Sequence, residues 1–172
     1  MNLPILIAVG RALATVPICV LLAPGTPAAD TLALALFVVA VLSDVADGAL
    51  ARARREVTPL GAAIDPLADK VLIVGTLVAL SVRGLAPLWA TGVVLARELL
   101  ALDVRARATR PLPATVDGKA KTILQAAAVS ALIASAAAPS AGLAVAANML
   151  LLAAVALTVL SGVRLVRRAA FA

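Results

Sequence analysis

The chain has 172 residues, of which 63% are hydrophobic and only 2% aromatic, and its formal net charge is +6 at pH 7. This composition is typical of a membrane protein and argues against a soluble domain. The single cysteine, Cys19, excludes an internal disulfide and a cysteine metal cluster. The basic excess suits an anionic membrane surface and anionic ligands, whereas a nucleic-acid partner is not expected without a soluble basic domain.

Apolar runs separated by turn-forming and charged residues predict six helices. A bilayer core roughly 30 Å thick needs about 20 apolar residues per helix, so the chain accommodates about six spans in a single domain over residues 1–172. The predicted spans, in chain order, are Leu3–Ala23, Thr31–Ala51, Leu60–Val82, Ala86–Val104, Thr122–Ala138 and Ala141–Val163. The predicted fold class is therefore all-α, a polytopic membrane protein with about six transmembrane helices.

Basic residues are unevenly divided between the two sides of this predicted topology. One side has only Arg83, and the other has the second loop, the fourth loop and the C-terminus. The basic residues of that second side are Arg52, Arg54, Arg55, Arg105, Arg107, Arg110, Lys119, Lys121, Arg164, Arg167 and Arg168. Because short cytoplasmic loops accumulate Lys and Arg, we expect a multi-pass protein of the cytoplasmic membrane with both termini in the cytoplasm.

Four carboxylates interrupt the second and third predicted spans. Asp44 and Asp47 are three residues apart, and Asp65 and Asp69 are four apart, so each pair occupies one helical face. At about 2.5–3.5 kcal/mol for each buried Asp, the set would cost on the order of 10 kcal/mol if nothing compensated it. Hard oxygen ligands of this kind select Mg²⁺, Mn²⁺ or Ca²⁺, and two divalent ions would balance the four charges.

Small residues accompany these acids. Gly48 and Ala51 follow Asp47 by one and four positions, and Gly61 precedes Asp65 by one helical turn. They would let a ligand or a backbone approach closely, although ordinary helix packing is the alternative explanation for each glycine alone.

The segment from Asp44 to Asp69 reproduces the pattern DxxDGxxARx8GxxxDxxxD at all its specified positions. It resembles the signature of the CDP-alcohol phosphotransferase family. The resemblance implies a six-helix membrane fold, usually a homodimer, that moves a phosphatidyl group from CDP-diacylglycerol to a small alcohol with two divalent ions, Mg²⁺ or Mn²⁺.

Residue roles follow from the same resemblance. It implies metal ligation by Asp44, Asp47 and Asp65, with Asp69 as the general base and a possible ligand of the second metal. Gly48, Ala51, Arg52 and Gly61 would line the CDP-lipid pocket. A role for Asp69 purely as a metal ligand remains open.

Three further segments bear on the acceptor alcohol. The N-terminal residues Asn2 and Pro4, followed by Arg11 and Pro17, resemble members of the family that use glycerol 3-phosphate. The run from Asp65 to Lys70 resembles a run that those members share with members that form cardiolipin. The resemblance assigns Asn2 and Pro4 to the CDP-lipid pocket. The strongest match is Ala96–Glu98 together with Gly118–Gln125, and we expect the acceptor phosphate to be bound by Arg97, Arg105, Lys119 and Lys121.

Alternatives remain for these assignments. Arg110–Pro113 resembles members that use phosphatidylglycerol as the acceptor and form cardiolipin, and the stretch from Glu98 to Gly118 is short for a glycerol 3-phosphate enzyme. Arg97 could form only a structural pair with Glu98 or Asp103, and Arg105, Lys119 and Lys121 could simply be cytoplasmic-side basic residues. A cation or proton transporter is the non-enzyme alternative, because acids inside a membrane also line ion pathways.

Overall fold

The computed structural model describes the backbone of residues 3–54, 59–107 and 116–170, and the side chains of residues 9–43, 68, 70–104 and 120–167. All regular secondary structure in the described ranges is helical. The six helices are α1 (Leu3–Leu22), α2 (Pro27–Arg54), α3 (Pro59–Val82), α4 (Leu88–Arg107), α5 (Val116–Ala137) and α6 (Ala141–Ala170). The predicted helices are confirmed to within seven residues at each end, and the largest difference is the extension of α6 from Val163 to Ala170.

Short turns join α1 to α2, α3 to α4 and α5 to α6. Gly25 and Gly84 have φ values of 67° and 73° in the first two turns, a left-handed conformation that favours glycine. Ser140 caps α6, since its Oγ accepts a hydrogen bond of 3.2 Å from the backbone N–H of Leu143. These turns make the helices of each pair antiparallel neighbours.

The helices form a closed ring in the order α1, α2, α5, α6, α4, α3, and α3 also contacts α5 across it. Helix α1 therefore packs against both α2 and α3. Gly75 of α3 permits a close approach to α1, because a Cβ atom there would lie 2.5 Å from Cγ2 of Thr15. Thr15 is buried, and its Oγ1 has no hydrogen-bond partner within the described structure.

The described helices are apolar on the outside as well as in their core, and several polar and charged side chains are buried between them. Large apolar side chains cover the outside of the described helices, whereas buried polar and charged side chains occur inside. The most exposed apolar residues include Leu13, Val16, Val20, Val39, Val82, Leu88 and Ile123. The buried polar residues are Arg11, Thr15, Asp30, Thr76, Thr91, Glu98, Lys121, Gln125, Thr158 and Ser161. An apolar exterior of this extent is expected where lipid surrounds the protein.

Two segments within the described side-chain ranges are long and apolar enough to cross a membrane, Ala120–Ala137 and Ala141–Arg167. Shorter apolar helical stretches are Val9–Leu22, Pro27–Ser43 and Lys70–Val82. Arg97, Glu98 and Asp103 interrupt the apolar character of α4. The all-helical prediction is confirmed, and the apolar helices indicate a membrane protein, whereas the count of six spans stays a prediction.

A buried ion pair joins the beginning of α2 to the end of α3. The guanidinium of Arg83 donates two hydrogen bonds to the Asp30 carboxylate, with N–O distances of 2.5 and 2.9 Å. Asp30 is fully buried, and the side chain of Arg83 is 18% exposed. The same guanidinium lies against Gly25, where a Cβ atom would approach Nη2 to 3.3 Å. The pair thus ties the α1–α2 turn to the α3–α4 turn, at one end of the bundle.

Candidate functional site

A single buried carboxylate, that of Glu98 in α4, collects basic side chains from three helices. Its Oε1 accepts a short hydrogen bond from Nζ of Lys121 in α5 and one of 3.2 Å from Nη1 of Arg97. Its Oε2 lies 3.7 Å from Nζ of Lys70 in α3. We call Lys70, Arg97, Glu98 and Lys121 the Glu98 cluster.

The fold explains why these residues meet. Lys121 lies in the second turn of α5, Glu98 lies in the second half of α4, and α3 contacts both helices. The end of α4 and the start of α5 therefore lie at the same end of the bundle as the end of α2 and the start of α3. This end is opposite to the Asp30–Arg83 pair, and about 20 Å of helix separates Lys70 from the end of α3 at 1.5 Å per residue.

The charges of the Glu98 cluster do not balance. Within the cluster itself, three cationic side chains face one carboxylate, which is a formal excess of two positive charges among these four described residues. Lys121 and Glu98 are 3% and 5% exposed, so little water is available to solvate the excess. A buried charge requires compensation, and the two charges of a phosphate monoester would supply it.

Helix α6 packs against the side chain of Arg97 at Gly162. Gly162 faces it so closely that a Cβ atom would lie 3.3 Å from Cγ of Arg97. The Nε atom of Arg97 is buried without an acceptor among the described groups. An unpaired buried N–H is costly, so the position favours an external acceptor.

Gln125, the last residue of the predicted acceptor segment, has a different role from its neighbours. Its side-chain amide donates a 2.9 Å hydrogen bond to Oγ1 of Thr158, and the Thr158 hydroxyl in turn donates to the backbone carbonyl of Ala154. These bonds join α5 to α6 beside the Glu98 cluster. Gln125 therefore links two helices.

The four signature acids lie on the two helices that the sequence predicts. The α2 backbone is helical through Asp44 and Asp47, and the α3 backbone through Asp65 and Asp69, so each pair keeps its spacing on one helical face. Their side chains lie outside the described residues, as do those of Gly48, Ala51, Arg52 and Gly61. Among the described side chains, no group of three or more His, Cys, Asp or Glu residues could hold a metal ion.

The remaining predicted ligands include some whose side chains are described and some whose side chains are not. Asn2 is outside the described residues, and Pro4 is described only as part of the α1 backbone. Arg105 and Lys119 lie on α4 and α5, but their side chains are outside the described set. Of the four predicted acceptor ligands, the described structure thus brings Arg97 and Lys121 together. The predicted alternative pairing of Arg97 with Glu98 is also present, so Arg97 has a structural partner.

Two members of the Glu98 cluster were not predicted as site residues. Glu98 follows Arg97 in the predicted acceptor segment, and Lys70 directly follows Asp69, yet the sequence pattern predicted no ligand role for either residue. The available signal was a carboxylate inside a predicted span with basic residues at the ends of two other spans.

Comparisons with known proteins agree with the motif. A family model described as CDP-alcohol phosphatidyltransferase matches residues 1–160. A protein of Mycobacterium tuberculosis strain H37Rv named "Probable phosphatidylglycerophosphate synthase" is 41% identical over 144 residues, which are 83% of this chain and 68% of the relative.

Two further relatives differ in their names. The Bacillus subtilis CDP-diacylglycerol–glycerol-3-phosphate 3-phosphatidyltransferase is 38% identical over 110 residues, or 62% of this chain and 57% of the relative. A Streptomyces coelicolor cardiolipin synthase of the CMP-forming type is 44% identical over 78 residues, or 45% of this chain and 36% of the relative. Two acceptor classes are therefore represented among the relatives.

Proposed function

Because the chain belongs to the CDP-alcohol phosphatidyltransferase family, we propose that it transfers a phosphatidyl group from CDP-diacylglycerol to glycerol 3-phosphate. The products are phosphatidylglycerophosphate and CMP, and the process is phospholipid biosynthesis. Membership in a transferase family also removes the transporter alternative. The names of the Mycobacterium and Bacillus relatives support this choice of acceptor.

The observation that carries the acceptor proposal is the charge excess of the Glu98 cluster. Glycerol 3-phosphate has a phosphate monoester that carries close to two negative charges at neutral pH. Arg97 and Lys121 are bound on one side by Glu98, and their remaining donors suit phosphate oxygens. Arg105 and Lys119 follow on the same two helices and would extend the basic surface toward the cytoplasm.

The CDP-lipid is proposed to bind at the signature of α2 and α3. Asp44, Asp47, Asp65 and Asp69 would hold two divalent ions, and a set of carboxylate oxygens on helical backbones fits Mg²⁺ or Mn²⁺. Such ions, when bound, supply positive charge to the diphosphate. Gly48, Ala51, Gly61, Arg52, Asn2 and Pro4 would shape and contact the nucleotide end of the lipid.

The proposed chemistry is a displacement at phosphorus. A hydroxyl of glycerol 3-phosphate attacks the lipid-side phosphorus, and the bond to the CMP oxygen breaks. Asp69 would accept the hydroxyl proton as general base. Lys70 follows Asp69 in α3 and contacts Glu98, so the helix that carries the proposed base also reaches the proposed acceptor phosphate site.

A phosphatidylglycerol acceptor is the second candidate, because a cardiolipin synthase is among the relatives. That reaction needs a second lipid-accessible groove, whereas the Glu98 cluster is buried among α3, α4 and α5. The burial of the Glu98 cluster therefore favours the glycerol 3-phosphate proposal. Arg110–Pro113, the segment that resembles cardiolipin-forming members, lies outside the described residues.

An acceptor competition separates the two candidates. Purified protein in detergent would receive labelled CDP-diacylglycerol and Mg²⁺, with glycerol 3-phosphate, phosphatidylglycerol, inositol 1-phosphate and serine offered together. Thin-layer chromatography should show phosphatidylglycerophosphate as the main product. Cardiolipin as the main product would instead establish the second candidate.

Variants of the signature test the metal proposal separately. Asp44→Asn and Asp65→Asn should abolish CMP release while the protein stays folded in detergent, and loss of repulsion should preserve or raise its melting temperature without metal. If both variants retain a tenth or more of the activity, these acids are not essential ligands.

We also propose a homodimer that crosses the cytoplasmic membrane six times with both termini in the cytoplasm. The apolar exterior and the basic residues near the α4–α5 connection support this orientation. Thr26→Cys and Arg167→Cys, made singly in a Cys19→Ser background, test the orientation. In intact cells a membrane-impermeant thiol reagent should label Thr26→Cys, whereas Arg167→Cys should be labelled only after the membrane is opened.

A further inference from the structure

We propose that Glu98 is a positioning residue whose carboxylate arranges Lys70, Arg97 and Lys121 into a binding site for a phosphate dianion. The inference rests on the proposed function, because it names the residue that sets the geometry of the acceptor phosphate site. It starts from the contacts of one carboxylate with cationic groups on α3, α4 and α5.

Glu98 is the element that these cations share. The three cations come from different helices, and each has a long side chain that loses considerable rotamer freedom when it is held in place. Both carboxylate oxygens are engaged, Oε1 by Lys121 and Arg97, and Oε2 by Lys70 and by a 3.4 Å hydrogen bond from Arg97. A site arranged in advance binds its ligand without that ordering cost at the moment of binding.

The charge balance distinguishes positioning from simple neutralisation. If Glu98 only offset excess charge, its removal would leave three cations and strengthen the attraction for an anion. If Glu98 holds the cations in place, its removal lets them repel one another, and anion binding weakens. The buried Nε of Arg97, without an acceptor in the described structure, agrees with a site arranged for an additional oxygen ligand.

The position of Lys70 gives the arrangement a consequence for the reaction. Lys70 follows Asp69 in α3, and its Nζ is 3.7 Å from Glu98. Glu98 therefore joins the proposed phosphate site to the helix that carries the proposed base. A phosphate held there would place the acceptor at a defined distance along α3 from Asp69.

Phosphate binding to the Glu98→Gln variant provides the direct test. Gln keeps the size of the side chain and removes its charge. Full-length protein in detergent, with EDTA present to remove divalent ions, would be titrated with inorganic phosphate in a calorimeter. We expect Glu98→Gln to weaken binding roughly tenfold or more, since the cations are no longer held together. Asp103→Asn is the matched control, because it removes an exposed carboxylate from the same helix, and it should change binding less than about twofold.

Steady-state kinetics adds a readout that a general structural defect would not reproduce. Glu98→Gln should raise KM for glycerol 3-phosphate roughly tenfold and leave KM for CDP-diacylglycerol within about threefold of wild type. Glu98→Asp should restore part of the loss, because the charge returns although the carboxylate is one methylene shorter. Equal increases in both KM values, or phosphate binding that is unchanged or tighter in Glu98→Gln, would overturn the proposal.

A double-variant cycle with Lys121→Met tests whether Glu98 acts through its cationic partners. The effect of Glu98→Gln on phosphate binding should fall below about threefold in the Lys121→Met background. If Glu98→Gln weakens phosphate binding as much in the Lys121→Met background as in wild type, Glu98 does not act through Lys121. If Glu98→Gln does not fold, Glu98→Asp decides alone, and phosphate binding as tight as in wild type would then refute positioning.

These results separate this inference from the proposed function. Cardiolipin formation in the acceptor competition, together with phosphate binding that requires Glu98, would leave positioning intact and remove the glycerol 3-phosphate proposal. Turnover of glycerol 3-phosphate that Glu98→Gln does not change would support the glycerol 3-phosphate proposal and remove the positioning role of Glu98. Absence of phosphate binding to wild type in EDTA would count against the site itself.

Discussion

The Asp30–Arg83 pair and the Glu98 cluster are both buried groups of charges, and they differ in balance. Arg83 meets Asp30 through two hydrogen bonds, one for each carboxylate oxygen, so the two charges cancel. Glu98 instead faces three cations. The bidentate pair needs no further ligand and stabilises the fold, whereas the cationic excess of the Glu98 cluster among the described side chains favours an anion. This difference agrees with the proposal that one end of the bundle serves stability and the other binds the ligand.

Loss of Arg83 should produce the largest effect of any change in either group. Arg83→Met leaves Asp30 buried without its partner, and such a change costs about 3–5 kcal/mol. We expect a large drop in the melting temperature in detergent, with the KM for glycerol 3-phosphate unchanged at temperatures where the protein is folded. If Arg83→Met is stable but has an altered KM for glycerol 3-phosphate, the Asp30–Arg83 pair does not serve stability alone.

Lys121→Met should show the opposite behaviour. Glu98 keeps Arg97 and Lys70 as partners, so the melting temperature should change little. The value of kcat/KM for glycerol 3-phosphate should fall about 100-fold, or about 2.7 kcal/mol, because the substitution removes a cation that we propose contacts the acceptor phosphate. Arg167→Met, which removes an exposed cation of α6, is the control and should stay close to wild type. Equal effects of the two substitutions would show that only general surface charge matters.

Gly162→Ala tests the packing contact between α6 and Arg97, and its expected effect is smaller. The added Cβ would lie 3.3 Å from Cγ of Arg97 and shift that side chain slightly. We expect KM for glycerol 3-phosphate to rise about fivefold, or about 1 kcal/mol, with no loss of stability, since Ala favours a helix over Gly. Gly92→Ala in α4 has open space around its new Cβ and should leave KM unchanged. An identical response of the two variants would exclude a specific role for the Arg97 contact.

Replacing the whole Asp30–Arg83 pair should have the smallest effect. The double variant Asp30→Leu with Arg83→Met removes both charges and leaves no unpaired group. Its stability should return to within about 1 kcal/mol of wild type, because apolar replacement of a buried pair is often neutral or stabilising. The measurement is the melting temperature of the double variant in detergent, compared with that of Arg83→Met and of wild type. A double variant as unstable as the single one would mean that the pair itself contributes a large net stabilisation.

Much of this organisation could be predicted before any coordinates. The apolar runs predicted the six helices that the described residues form, and Pro24 to Pro27 and Arg83 to Gly84 marked real turns. The signature from Asp44 to Asp69 identified the family, which the family model confirms over residues 1–160. Arg97 and Lys121 were selected as ligands of one group and do lie together. These features depend on local periodicity and on fixed spacing, which the sequence contains directly.

The sequence by itself determined the helices, the family and the types of charged residue available. Only the tertiary structure decided that α1 separates α2 from α3 within the described contacts, that Asp30 meets Arg83, and that Glu98 collects cations from α3, α4 and α5. Hydrophobic patterning shows which residues avoid water, but it does not show which helices become neighbours. The pairing of buried charges far apart in the chain is set by helix packing, because a charge inside an apolar bundle is stable only where the packing brings it a partner.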